Sequence, residues 1–248
     1  MGFSPWVTDA AAGFVLRVYP ACGEGVVYFR AAGRRAGSGG IYQVPQLDHG
    51  EGGREACHVA RAVARGRRYA VANGCSVMLT LGYGDVFLDR ASDYGRAFDD
   101  LRAGVRRLRR AGGALPYLGL LERQPKRSAR EGVPVFNPMV LVPRLERPVL
   151  ESVRDSWRYG LTDWREFHSG GAGAAAGYAF KYVSKFLAAD VPAGRQSYTV
   201  GEGFQPQRVE SEWGSLGEAV QAALLVGLSD VWEVPGGGVW LLREAVAA

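Results

Sequence analysis

Residues 178–186 read YAFKYVSKF, which places Tyr178, Lys181, Tyr182 and Lys185 at i, i+3, i+4 and i+7. That spacing predicts one helical stripe bearing two tyrosines and two lysines. Phe180, Val183 and Leu187 turn the other way, toward a core. The lysines are notable because only three of the chain's 30 basic residues are lysine: Lys126, Lys181 and Lys185. A phenol with an ordinary pKa of about 10 is a poor nucleophile at neutral pH. A neighbouring ammonium or bound cation favours the phenolate and also holds the anionic centre being attacked. Two interleaved Tyr-x-x-Lys units are therefore suited to attack on a phosphodiester. The plainer alternative is an amphipathic helix with half-buried tyrosines.

The elements that must position this helix follow from periodicity. FVLRVYP (14–20) and GVVYFRAA (25–32) predict a hairpin. Gly33–Gly40 predicts a loop, and 53–72 a helix carrying Arg54, Arg61, Arg65, Arg67 and Arg68. SVMLTLGY (76–83) predicts a strand. A helix over 91–111 has Phe98, Leu101, Val105 and Leu108 on one face and Arg102, Arg106, Arg109 and Arg110 on another. Strands follow at 115–122 and 135–142, joined by a basic loop with Arg123, Lys126, Arg127 and Arg130. Pro138 inside the second argues for an edge or a bulge. Then come a helix at 148–158, a short strand at 161–167, the tyrosine helix at 174–189, a helix at 215–226 and a Trp-bearing hairpin at 231–242. The order predicts an α+β fold: an antiparallel sheet with helices on one face, of the ferredoxin-like kind. Three parts are expected: a β-rich N-terminal extension (1–50), a central domain (51–206), and an acidic helix-hairpin appendage (207–248).

Composition narrows the function classes. Hydrophobic residues make up 47% of 248, enough for a sizeable core. No apolar run reaches the roughly 18 residues a membrane span needs, and no signal peptide is expected. Three cysteines without metal-type spacing suggest a reduced, cytoplasmic setting. Charge is uneven: residues 54–130 carry a basic excess and 202–248 an acidic one. A basic middle concentrates polyanions such as nucleic acid. GAGAAAG (171–177) lacks the Gly-Lys-Ser/Thr of a phosphate-cradling loop. Cys57-His58 is too little for a zinc site. Trp157, Trp164, Trp213, Trp232 and Trp240 suit either base stacking or a core.

Several stretches together resemble the rolling-circle replication initiators of plasmids and phages, within the HUH-endonuclease superfamily. They are the Arg-rich helix before SVMLTLGY, the basic helix ending VRRLRR (105–110), PYLGLLER (116–123) with its basic loop, SWRYG (156–160), YAFKYVSK (178–185) and RQSYTVGEGFQP (195–206). The resemblance spans roughly 54–206. It implies the superfamily's palm-like sheet and a site-specific DNA endonuclease and strand transferase. A helix-borne tyrosine would attack origin DNA, stay bound to the 5′ end, and leave a 3′ hydroxyl to prime synthesis. Tyr178 and Tyr182 are the candidate nucleophiles, and Lys181 and Lys185 the phosphate-side cations. Arg106, Arg109, Arg110, Arg123, Lys126 and Arg127 are the candidate DNA contacts. The implied partners are single-stranded or origin DNA and a host helicase, with no membrane and no small-molecule cofactor.

The family's metal, Mg²⁺ or Mn²⁺, is held by two histidines one residue apart on a strand. The corresponding strand here, VPVFNPMVLVP (133–143), has none. Its face offers Val135, Asn137, Met139 and Leu141, and the chain's histidines are His49, His58 and His168. Two expectations follow. Either Glu122 and Asn137, both oxygen donors, hold a weak Mg²⁺ or Mn²⁺, or the metal site is lost and the protein is a DNA-binding replication regulator that does not cut.

Overall fold

A computed structural model describes residues 13–30, 51–187, 197–234 and 238–242. The expected loop at 33–40 lies outside them. The chain divides into two compact units, Gly50–Pro206 and the two terminal segments together.

The central unit contains α1 (Glu51–Ala72), β3 (Val77–Leu81), α2 (Leu88–Ala91), α3 (Tyr94–Gly112), β4 (Leu118–Arg123), α4 (Pro125–Glu131), β5 (Phe136–Val142), α5 (Arg147–Ser156), β6 (Thr162–Glu166), α6 (Gly171–Leu187) and β7 (Tyr198–Val200). Its five strands are ordered β6-β3-β5-β4-β7, and every pairing is antiparallel. Strand–α3–strand–strand–α5–strand with that order is the ferredoxin-like arrangement, to which β7 adds an edge.

Helices cover both faces of this sheet, not one. Val77, Leu79, Leu81, Leu121, Val140 and Val142 pack under α3 and α5. Met78, Leu118, Leu120, Met139 and Leu141 pack under α1 and α6. The physical reason is in the strands. VMLTL, LGLL and MVLV are apolar at successive positions, and successive side chains point to opposite faces. One layer of helices would leave half of them in water.

Local chemistry explains the elements. Asp93 caps α3 by accepting a hydrogen bond from the Arg96 amide at 3.0 Å. The face expected to be apolar, Phe98, Leu101, Val105 and Leu108, is buried. The basic loop expected at 123–133 contains a helix, α4. Pro125 starts it, and Gly132 ends it in the left-handed region with φ +70°. Pro138 lies in β5, which is interior to the sheet. The β3 ladder, however, reaches only Met139, so at Pro138 the strand has β4 alone as partner. The proline thus sits at a local edge.

The terminal unit is built from both chain ends. β1 (Gly13–Tyr19) and β2 (Glu24–Arg30) pair as the expected hairpin. β8 (Val209–Trp213), α7 (Leu216–Leu225), β9 (Asp230–Val234) and β10 (Gly238–Leu242) complete it. The sheet order is β8-β1-β2-β10-β9. Leu16, Val27, Ala219, Ala223, Leu228, Val239 and Leu241 form its core. Extension and appendage therefore share one sheet. No helix among the described residues is long and apolar enough to cross a membrane.

Candidate functional site

α6 presents Ala175, Ala176, Ala179 and Phe180 to the sheet and to α1. Three alanines let the helix lie close, and Phe180 fills the space left by Gly66 of α1. Lys181 is exposed. Tyr178 is half-buried on the flank. Its ring centroid is 5.8 Å from that of Phe167. The exposed Arg165 lays its guanidinium carbon 5.4 Å from the Tyr178 centroid and 4.8 Å from that of Phe167. A cation thus sits against the faces of both rings. Tyr182 and Lys185 belong to α6, with Tyr182 about 6 Å further along the axis. Their side chains lie outside the described set, as do those of Cys57 and His58.

Glu122 and Asn137 are Cα partners across β4 and β5. Strand alternation puts both on the α6 side, in line with Leu120 and Met139. Glu122 accepts a hydrogen bond from the Gln124 amide nitrogen at 2.8 Å. Burial raises its carboxyl pKa, against the opposing pull of that hydrogen bond. The Oδ1 atom of Asn137 is buried with no hydrogen-bond partner. A buried acceptor beside a carboxylate fits a hard divalent cation such as Mg²⁺, which completes its shell with water and phosphate oxygens. Among the described residues no group of three or more His, Cys, Asp or Glu gathers to hold a metal more tightly. His168 is exposed beyond β6, 3.9 Å from Glu166.

Tyr178 and the Glu122/Asn137 pair occupy the same layer but not the same end of it. Arg165 is level with Met78 and Leu141. Asn137 lies four residues along β5 from Leu141, a rise of about 13 Å. Tyr182, one turn along α6, is the other candidate nucleophile.

The candidate DNA contacts separate into groups. Arg106, Arg109 and Arg110 are exposed at the C-terminal end of α3 and line a shallow cavity of about 320 Å³ with Gly113 and Ala114. They lie on the α3 side of the sheet, opposite α6. Arg123 is half-buried at the end of β4 and Lys126 is exposed on α4. Arg127 is held in place: it donates to the Tyr83 carbonyl and to Asp85 at 2.9 Å. Arg130 reaches the same Asp85 oxygen at 3.4 Å. These two arginines fasten α4 to the segment after β3. On the tyrosine side, the exposed Arg65 of α1 lies against Tyr198, whose pKa burial raises and Arg65 lowers.

SWRYG serves as structure. Trp157 is buried and donates to the Gly82 carbonyl at 2.8 Å. The Gly84 amide donates to the Tyr159 carbonyl at 2.7 Å. Trp164 packs at the edge of the α3-side core and Trp213 against the terminal-unit core. The side chains of Trp232 and Trp240 are outside the described set. Arg165 and Phe167 were not singled out in sequence. The available signal was parity: Asp163, Arg165 and Phe167 alternate on one face of TDWREF.

Comparison of the chain with protein-family models, curated proteins and solved structures found no match.

Proposed function

We propose that this protein binds single-stranded origin DNA and cuts it by tyrosine attack on a phosphodiester, in the manner of the rolling-circle initiators it resembles. The observation that carries the reading is the setting of Tyr178. The doubled Tyr-x-x-Lys helix packs on a ferredoxin-like sheet, with the Tyr178 ring under the Arg165 guanidinium and with Glu122 and Asn137 on the same face. The phenol oxygen attacks phosphorus and loses its proton to solvent. The bond to the 3′ oxygen breaks, and that oxygen takes a proton from water. The 5′ phosphate remains on tyrosine, so the diester is conserved and can be passed to another 3′ hydroxyl. Arg165 and Lys181 supply positive charge beside the diester, and Phe167 offers a ring on which a base can stack. A Mg²⁺ or Mn²⁺ held by Glu122 and Asn137 would supply Lewis-acid polarisation of a phosphate oxygen at their own end of the layer, about 13 Å along β5 from the level of Arg165. The 3′ end would then prime synthesis, with a host helicase as the further cytoplasmic partner.

The test is a covalent adduct. The protein is incubated with Mn²⁺ and a pool of single-stranded oligonucleotides, and the products are separated under denaturing conditions. A protein–DNA adduct is expected that disappears in the Tyr178→Phe/Tyr182→Phe double variant. One observation favours a second reading, binding without cutting: β5 presents Val135, Asn137, Met139 and Leu141 where the family has its histidine pair. Salt-sensitive binding with no adduct would establish that reading instead.

A further inference from the structure

We propose that the C-terminal end of α3 is a second DNA-contact surface, one that takes the phosphates of duplex DNA while the α6 face takes the single strand. This rests on the reading of the protein as DNA-binding and adds which form of DNA each face meets.

Most arginines near this surface are engaged. On α3 itself, Arg96 pairs with Asp89 and Asp93, and Arg102 with Asp99. On α5, Arg147 pairs with Glu151 and Arg154 with Asp155. Arg106, Arg109 and Arg110 have no acidic partner among the described residues. They surround a concavity whose other lining is Gly113 and Ala114, so nothing bulky keeps an anion from the guanidinium groups. A Cβ built at Gly113 meets nothing within 4 Å. The negative end of the α3 dipole helps hold three like charges together.

The lining contains no aromatic residue, and the aromatics of α3, Tyr94 and Phe98, are buried. Single strands are gripped largely by stacking, and this surface offers none. It offers planar bidentate donors suited to phosphates held in a fixed array. The α6 face has the opposite character, with Phe167 and Tyr178 beneath Arg165. The sheet lies between the two faces, so a strand seated at Tyr178 does not also occupy the arginine cavity. The duplex beside a nick site would.

The experiment measures binding of the full chain to a blunt 20-base-pair duplex and to a 20-nucleotide single strand, by fluorescence anisotropy over a KCl series. Each phosphate contact contributes about −0.9 to the slope of log K against log salt. In the Arg106→Gln/Arg109→Gln/Arg110→Gln variant the duplex slope should lose between two and three units. Duplex affinity should fall at least tenfold at 100 mM KCl, while single-strand affinity changes less than twofold. The matching Lys triple variant should keep the slope. Arg147→Gln/Arg154→Gln should leave duplex binding unchanged. The proposal is overturned if the unaltered protein does not bind duplex, if the triple variant binds duplex normally, or if both DNA forms weaken equally. None of these outcomes depends on strand cleavage, so the absence of an adduct would defeat the nicking reading and leave this measurement standing.

Discussion

Arg165 couples the candidate nucleophile to the sheet. Its guanidinium is the cation seen against the Tyr178 ring, and cation–π contacts at exposed sites are worth about 0.5–1 kcal/mol. Arg165→Ala should slow single-turnover adduct formation about two- to fivefold, consistent with that range. Arg165→Lys should restore part of the loss, which a purely structural role would not require. Tyr178 was legible in the sequence because helical period and a scarcity of lysine both mark it. Arg165 was not, because its contact with residue 178 depends on β6 running beside the start of α6. Parity alone put Glu122 and Asn137 on one face, but not their distance from Tyr178. Residue chemistry also sets the alkaline limit of stability. Burial pushes the Tyr69 hydroxyl and the Cys75 thiol each up to about 12, from ordinary values of 10.0 and 9.0. The unfolded chain therefore loses these protons first as pH rises. The stability owed to these two groups should fall from about pH 9 toward 12 and level off above. Denaturant titrations across that range should show the decline, and Cys75→Ala should make it shallower between pH 9 and 10.

Two tightly packed elements fix the site's frame. A Cβ at Gly66 would collide with the Phe180 ring, so α1 and α6 meet at a contact that only glycine permits. Gly66→Ala should cost about 1–3 kcal/mol by overpacking, read from urea unfolding. It should also lower adduct yield, because Phe180 lies two residues from Tyr178. On the other face, Asp100 of α3 is buried and accepts from Tyr83 at 2.9 Å and from Arg90 at 2.5 Å. Asp100→Ala should cost about 1–3 kcal/mol, since it leaves the buried Tyr83 hydroxyl without an acceptor while the part-exposed Arg90 can turn to water, and it should leave the Tyr178 side of the sheet intact. Element type and order were largely legible, because α3 has a strong helical period and the three central strands are short apolar runs. The two-sided helix cover was also present, in the unbroken apolar runs of β3, β4 and β5. α4 was hidden because its basic, polar composition resembles that of a loop, with only Pro125 and Gly132 marking its ends.

At the scale of the molecule, the acidic C-terminal segment finds its counter-charge in the N-terminal one. Glu210 pairs with Arg17 at 2.6 Å, and Glu212 with Arg30. Sequence periodicity carries no information about which distant strands pair, so the two ends read as separate parts. Their union has a direct consequence. β1 pairs with β8 on one edge and β2 with β10 on the other, and α7 covers Leu16 and Val27. A chain ending at Pro206 would leave β1 and β2 as a bare hairpin with an uncovered apolar face. Isolated two-stranded hairpins are marginal at best in water. In that truncated chain the amides of residues 13–30 should exchange hydrogen with solvent within seconds to minutes, while those of β3, β4 and β5 stay protected. The tyrosine helix and its sheet belong to the central unit, Gly50–Pro206. Adduct formation per folded molecule should therefore survive the truncation. Persistent protection of residues 13–30 would mean that the hairpin is held by something other than the C-terminal strands.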